Sequence, residues 1–402
     1  MYGSRGASGV IEVKTKKGTG RGFQISYEGN VGFEQMYKHL NMLDASEYVA
    51  TARALGVYCN NRGFNTDFYD VITRTGLVNN HYLAFSGGTP QSNYRASFGL
   101  MDHNTIIKNM NYNVFVAKID VTQKAFNDKL TGDFGVFGSS FKNHDIFDTQ
   151  MLFYSAACQN PTFPAGPDEN GNWVKNGAAT HINPPGILLD EKNDSKDLNF
   201  DAHIKLSYDF NPHWRISTFG SYLYGSTENA KFCPTWVWAQ GNVYRGEFKK
   251  EEWLGNVAVS FNKKAGIHSF SADASSEYRK LKKTSFGVYA KGIPTNDFHY
   301  DNLGAAAVRP YGGTESTYKD QSLASVMGSF SYSLLDRYTL SVNARGDGSS
   351  MVGDNNTWGF FPSVSFNWDL KKESFLANVK PLSMLKLRTG LGQAGNLGGI
   401  SA

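Results

Sequence analysis

Between Phe23 and Leu391 the sequence is written in segments of about ten residues that alternate apolar and polar side chains, the length and pattern of strands that cross a bilayer in a barrel. Successive side chains on a strand point to opposite faces. In Phe200–Phe210 one face carries Phe200, Ala202, Ile204, Leu206, Tyr208 and Phe210, and the other Asp201, His203, Lys205, Ser207 and Asp209. The same alternation sets Phe23, Ile25, Tyr27, Val31 and Phe33 against Gln24, Ser26, Glu28 and Asn30. It recurs in Tyr338, Leu340, Val342 and Ala344 against Thr339, Ser341, Asn343 and Arg345, and in Val364, Phe366 and Trp368 against Ser363, Ser365 and Asn367. A soluble β-sandwich also alternates, so the connections between strands decide.

Tight links fall at Gly87–Ser92, Asn127-Asp128, Asn211-Pro212-His213, Lys263–Gly266 and Leu334–Arg337, rich in the residues that turn a chain. Between these hairpins lie longer connections, expected at 34–76, 140–197, 226–252 and 278–321, with shorter ones near 103–113 and 348–357. Long and short links in strict alternation gather all tight turns at one end of a meander and all long loops at the other, as in an up-and-down membrane barrel. Greek-key sandwiches lack that regularity.

Aromatic residues make up 14% of the chain, 28 Phe and 21 Tyr among them, and many stand at strand ends, where membrane barrels carry their aromatic girdles. Strands of any kind favour such residues, so composition only agrees with the pattern. The mean hydropathy is -0.41 and no apolar run approaches the roughly 18 residues of a spanning helix, which excludes a helical membrane protein. A barrel tolerates that value because half of each strand faces a polar lumen.

About thirteen strands are expected, the last near Leu385–Leu391, an odd number that cannot close in the manner of bacterial barrels, which use even counts. The chain is therefore read as a fragment. Met1 is followed at once by Tyr2-Gly3-Ser4-Arg5 without a secretory leader, and Gly398–Ala402 stops within a loop.

Tyr2-Gly3-Ser4-Arg5-Gly6-Ala7-Ser8-Gly9-Val10-Ile11-Glu12-Val13-Lys14-Thr15-Lys16-Lys17-Gly18 resembles the last segment of the plug domain of TonB-dependent outer-membrane receptors, with Gly3, Gly6 and Gly9 supplying tight turns and Val10–Lys16 a short strand. Asn41–Val49, Thr66–Asp70 with Arg74-Thr75, and His81–Gly88 look like the early barrel of SusC/RagA-type transporters of Bacteroidota. So do Ala344-Arg345-Gly346-Asp347-Gly348-Ser349-Ser350, Gly353, Asn355-Asn356, Trp358-Gly359, Phe361-Pro362-Ser363, Leu385–Gly390 and Gly392–Asn396. Gly346 stands where that family more often has an apolar residue, and Ala394 where it often has Thr.

The resemblance implies an all-β fold: part of a transmembrane antiparallel up-and-down barrel of about 22 strands with an internal plug. Residues 1–18 would be the end of the plug and 19–402 part of the barrel. It implies TonB-dependent import of a glycan or peptide across the outer membrane, with a SusD-like surface lipoprotein as lid and the TonB complex engaging a preceding part of the protein. No cofactor and no reaction enter; the work is conformational gating. Long connections would be extracellular. Trp236 and Trp238 in one of them are candidates for an aromatic platform on a sugar face, against the reading that they pack the loop.

Other chemistries find little purchase. Asp168-Glu169-Asn170-Gly171-Asn172 places oxygens as a calcium loop does, but Trp173 takes the glycine position, so a plain turn is expected. Asp347 with Asp354–Asn356 is a second cation candidate against a solvated hairpin. Gly18-Thr19-Gly20-Arg21-Gly22 lacks the strand and helix of a phosphate loop. No His-x-x-x-His, Cys-x-x-Cys or Gly-x-Ser-x-Gly spacing occurs. Cys59, Cys158 and Cys233 leave their pairing open. The balance of 40 basic to 36 acidic residues is too even for a nucleic-acid footprint, and the lysines at 14–17, 249–250 and 280–283 read as solvated faces or rims against lipopolysaccharide. A siderophore or vitamin receptor and a non-transporting extracellular β-protein are the competing functions.

Overall fold

In the computed structural model residues 11–18, 22–146, 148–175, 182–237, 240–353, 357–377 and 379–395 are described. They form one antiparallel meander of 13 strands in strict sequence order. The strands are β1 (Gln24–Glu34), β2 (Gly76–Gly88), β3 (Ser92–Asn104), β4 (Asn111–Ala125), β5 (Leu130–Asp145), β6 (Lys192–Asp209), β7 (Trp214–Cys233), β8 (Asn242–Ala265), β9 (His268–Lys291), β10 (Thr314–Leu334), β11 (Tyr338–Ser349), β12 (Trp358–Asp369) and β13 (Lys386–Gly392). β1 and β13 are the two outer edges, so the sheet is an unclosed barrel wall.

All five expected tight links lie between paired strands. Leu335 and Asp336 both take positive φ (57° and 53°), as does Gly266 (60°), the conformation whose twist matches a hairpin. Among the described residues no helix is long and apolar enough to cross a membrane.

Three of the long connections are shorter than the alternation predicted. They span 146–191, 234–241 and 292–313, because β5 to β10 continue beyond the apolar band. β8 and β9 reach 24 residues each, roughly 80 Å at about 3.4 Å per residue, where about 9–11 residues cross a bilayer. In these extensions the outer face no longer has to be apolar along its length, so the sequence stops alternating while the ladder continues: Lys192-Asn193-Asp194-Ser195-Lys196-Asp197 pairs residue by residue with Phe232 back to Thr227.

The register assigns every side chain to a face. Lys118 on β4 and Asp133 on β5 hold the segment 11–18, through Lys118 Nζ to Thr15 Oγ1 at 2.8 Å and Lys17 Nζ to Asp133 Oδ1 at 2.9 Å. That face is the inner one. The opposite face carries Ile119, Phe134, Val136, Ile204, Val257 and Val342, all large, apolar and exposed, as a lipid-facing wall requires. Tyr222 and Trp253, 4.3 Å apart between ring centroids, mark its upper edge.

The connections are not loose. 35–75 contains α1 (Ala45–Ala54) and α2 (Phe68–Ile72), and 146–191 contains α3 (Thr149–Cys158) and α4 (Pro184–Asp190); α5 (Ser374–Ala377) lies between β12 and β13. Asp44 and Glu47 form a reciprocal capping box that starts α1, Glu47 N donating to Asp44 Oδ1 at 2.8 Å and Asp44 N to Glu47 Oε2 at 3.1 Å. Phe68, Ile72, Ile107, Ile146, Leu152, Phe163, Ile187 and Leu188 are buried together, joining three connections into one apolar core. Lys108 Nζ donates to the last carbonyls of α2, Asp70 O at 3.0 Å and Val71 O at 2.6 Å, where a cation suits the helix dipole. The larger apolar cluster of this chain therefore lies in its collar of loops, above the wall.

Candidate functional site

The inner wall divides into two chemistries. Across β4 and β5 it is charged: Lys118 pairs with Asp120 at 2.9 Å, and Thr122 Oγ1 donates to Asp133 at 2.6 Å. Across β10 to β12 it is a ladder of neutral hydroxyls and amides. Ser329 Oγ donates to Asn343 Oδ1 at 2.9 Å, Asn343 Nδ2 to Ser363 Oγ at 3.2 Å, and Ser331 and Ser341 share a hydrogen bond of 2.9 Å. Such a surface exchanges hydrogen bonds with a passing polar solute without holding it by charge.

Above the ladder the motif Arg345-Gly346-Asp347-Gly348 closes the wall. Arg345 Nε donates to Asp347 Oδ1 at 2.6 Å and an Nη to Ser325 Oγ at 2.9 Å, with Glu277 at 3.8 Å. On the same inner face Glu252 sits between Arg279 (2.7 Å) and Lys250 (3.2 Å). The intervening glycines serve the outer face: Gly348 faces the Trp358 ring, where a Cβ would approach within 2.7 Å. Asp347 is thus committed to a cation of the chain; Asp354–Asn356 lie outside the described residues.

Trp236 is half-buried in the collar. Its indole Nε1 donates to Asp190 Oδ2 at 2.8 Å, and Trp173 Nε1 donates to the same oxygen at 2.7 Å. The rings stand 6.1 Å apart and close on Gly186 of α4, whose absent side chain makes room for both. This is the geometry of loop packing, with the ring against Gly186 and its indole nitrogen engaged. Trp238 lies outside the described residues, as do Tyr2, Gly3, Ser4, Arg5, Gly6 and Gly9.

Asp168 makes the expected turn: its Oδ1 accepts from Asn170 N at 2.9 Å and Asn172 N at 2.8 Å, with Gly171 at φ 79°. No disulfide joins Cys59, Cys158 and Cys233. Cys233 is buried against Glu191 at 3.4 Å, and burial together with that carboxylate pushes the thiol up, away from the thiolate. The lysine patches are split between faces and met by acids: Lys249 by Glu247 at 2.7 Å, Lys280 by Asp320 at 3.2 Å. Among the described residues no cluster of His, Cys, Asp and Glu could hold a metal ion.

The alternation did not reveal a second covered surface. Residues 292–313 fold back over the outer face of β7–β9, where Phe232, Val243 and Ala290 stand side by side and are buried with Ile293 and Ala306. Tyr300 OH donates to Asp194 Oδ2 of β6 at 2.5 Å, and His144 of β5 binds the other oxygen of the same carboxylate. Burial opposes charge on Asp194, but the bonds from His144 and Tyr300 outweigh it and hold the carboxyl below its usual range.

Comparison with known proteins places this architecture. The family model described as TonB dependent receptor-like, beta-barrel matches residues 133–401. The chain is 30% identical over 439 residues to the TonB-dependent receptor SusC of Bacteroides thetaiotaomicron, covering 98% of this chain and 42% of that receptor. It is 29% identical over 416 residues to the TonB-dependent receptor P3 of Formosa agariphila, covering 98% and 40% respectively. Among solved structures it overlays the RagAB peptide transporter with a TM-score of 0.80 at 17% identity, over 98% of this chain and 50% of that one. In the "open-open" state of the RagAB peptide importer the TM-score is 0.82 at 17% identity, over 98% and 49%. The chain thus spans about two fifths of the length of the receptors it matches. From the matched barrel, the antiparallel meander and the two-faced wall, the chain belongs to the family of TonB-dependent receptor-like β-barrels, which are receptors and transporters of the outer membrane.

Proposed function

We propose that the protein of which this chain is part imports a bulky polar nutrient, an oligosaccharide or a peptide, across the outer membrane of a Bacteroidota-like cell, driven by TonB and assisted by a SusD-like surface lipoprotein. Residues 1–18 end its plug and 19–402 form part of its barrel. One observation carries the reading: segment 11–18 lies on a polar wall whose reverse side is an apolar, aromatic-edged band. A chain threaded along the polar face of a lipid-backed sheet is what a plugged conduit requires. The SusC receptor at 30% identity supports the importer class. The RagAB structures add the fold.

Further strands would pair with the free edges of β1 and β13 to complete the wall. Passage then depends on displacing the plug from Lys118 and Asp133, a change of conformation with no bond made or broken. The test is uptake of labelled oligosaccharides and peptides by cells that carry the full-length protein, with and without a proton uncoupler. Uptake of one class that stops with the uncoupler, and a product that needs detergent and brings a lipoprotein with it, are the expected results. A soluble monomer recovered without detergent overturns the proposal.

A further inference from the structure

Three lysines stand side by side on the inner face where the conduit opens. Lys250 on β8 is directly opposite Lys283 on β9, and Lys283 is directly opposite Lys319 on β10. Partners across a ladder point to one side, and the register puts this row on the same side as Lys118 and Asp133. Lys250 lies three residues beyond Trp253 on β8, about 10 Å along the strand. The row is therefore above the apolar band, at the mouth.

Like charges directly opposite each other repel. Lys250 reaches Glu252 at 3.2 Å, but that carboxylate is also bound by Arg279 at 2.7 Å. Lys283 and Lys319, both half-buried, make no ion pair among the described residues. On the outer face the neighbouring lysines are provided for: Lys249 by Glu247, Lys280 by Asp320, and Lys282 by the ring of Tyr318 at 5.7 Å. An anion between Lys283 and Lys319 would remove their repulsion and gain charge-assisted hydrogen bonds.

The groups around the row define what else that anion carries. Phe248, two residues from Lys250 on the same face, leaves its ring 38% exposed. In its row Ser285 and Thr317 share a hydrogen bond of 2.6 Å, and further down β10 to β12 runs the ladder of neutral hydroxyls and amides. A sugar ring presents a C–H face to an aromatic ring and hydroxyls to such a ladder. An extended peptide repeats its side chains on one side only every 7 Å or so, whereas the lysines stand on strands about 4.8 Å apart. A chain of uronic acids carries a carboxylate on every ring.

We propose that Lys283 and Lys319, with Lys250 beside them, select acidic cargo at the mouth: oligosaccharides whose sugars carry carboxylates. The carboxylate lies between the lysines and the sugar ring against Phe248, before the cargo passes down to the neutral ladder. The inference rests on the importer reading and narrows its cargo.

The experiment titrates full-length protein in detergent, by calorimetry, with a panel of uronate trimers and with their methyl esters, which keep the hydroxyls and lose the charge. Wild type binds at least one acid about tenfold more tightly than its ester, and the difference shrinks as salt rises. K283Q/K319Q abolishes the difference, whereas K282Q, on the outer face of the same strand, keeps it. The double variant removes a like-charge contact, so it folds, with a denaturant midpoint no lower than that of wild type. If no acid binds better than its ester, or the preference survives K283Q/K319Q, the proposal is overturned. Binding of a glutamate pentamer over a glutamine pentamer, with no preference among the sugars, overturns the assignment to a sugar acid. Calorimetry needs neither TonB nor a proton gradient, so failure of energised uptake leaves this readout unchanged. Uncoupler-sensitive uptake of neutral cargo without any charge preference sinks this inference and leaves the importer standing.

Discussion

Arg345 and Asp347, two residues apart on β11, form an ion pair at 2.6 Å in which each side chain is only 2% exposed. A period of two puts both on the inner face. An ion pair this deep is costly to half-dismantle, because the surviving charge keeps its burial and loses its partner. Asp347→Asn in the full-length protein is expected to cost about 3 kcal/mol, with Arg345 left leaning on Glu277 at 3.8 Å. Arg345→Leu with Asp347→Leu is expected to cost less than the single change. Denaturant unfolding of the purified barrel, followed by the loss of its heat-resistant electrophoretic band, measures both. A milder single than double variant refutes the buried-pair account.

What the sequence made legible follows from which surfaces meet lipid. Where one face is apolar by necessity, as in Phe200–Phe210, alternation located the strand, its faces and its turn at Asn211-Pro212-His213. Beyond the apolar band Lys192–Asp197 has no face that must be apolar, so no pattern distinguished strand from loop, and three connections were drawn too long. The collar helices were missed for a different reason. Asp44-Ala45-Ser46-Glu47 is a readable capping box, but only the tertiary core of Phe68, Ile72 and Leu152 shows what the helices cover. The strap over Phe232, Val243 and Ala290 pairs residues distant in sequence and left no local signal.

Strap docking is expected to depend on acid. Asp194 has a depressed carboxyl pKa in the folded state because His144 and Tyr300 bind it. A depressed pKa contributes stability that is complete above the unfolded value, about 3.9, and is lost as pH falls through the lower folded value. Protease cleavage within 292–313 should therefore be constant from neutral pH down to about pH 4 and rise below it. Asp194→Asn should show the raised cleavage at neutral pH, because the charged acceptor of two hydrogen bonds is gone. A strap that stays equally protected in Asp194→Asn contradicts this.

The tryptophan pair gives a direct test of packing against ligand stacking. Asp190→Ala removes the shared acceptor of Trp173 and Trp236, and an unpaired buried donor costs about 1–3 kcal/mol. Gly186→Val places carbon where the two rings already stand 2.6 and 2.8 Å from a Cβ position. Both variants should shift tryptophan emission to longer wavelength and loosen the collar in amide exchange. Emission that responds to added oligosaccharide but not to Asp190→Ala would reverse the assignment of Trp236.

Two outer-face glycines separate close packing from open wall. A Cβ on Gly348 meets the Trp358 ring at 2.7 to 3.0 Å, whereas one on Gly255 meets nothing within 4 Å. Neither needs a left-handed backbone, since neither is among the glycines with positive φ. Only contact therefore distinguishes them. Gly348→Ala must push an aromatic ring off the strand and is expected to cost about 1–3 kcal/mol, the usual range for overpacking. Gly255→Ala removes chain entropy from the unfolded state without a clash and is expected to be neutral or stabilising by about 0.5–1 kcal/mol. Parallel denaturant curves on the full-length barrel read both. If Trp358→Ala restores Gly348→Ala to the stability of Trp358→Ala alone, the ring is the cause; if it does not, the glycine is required for another contact on β11.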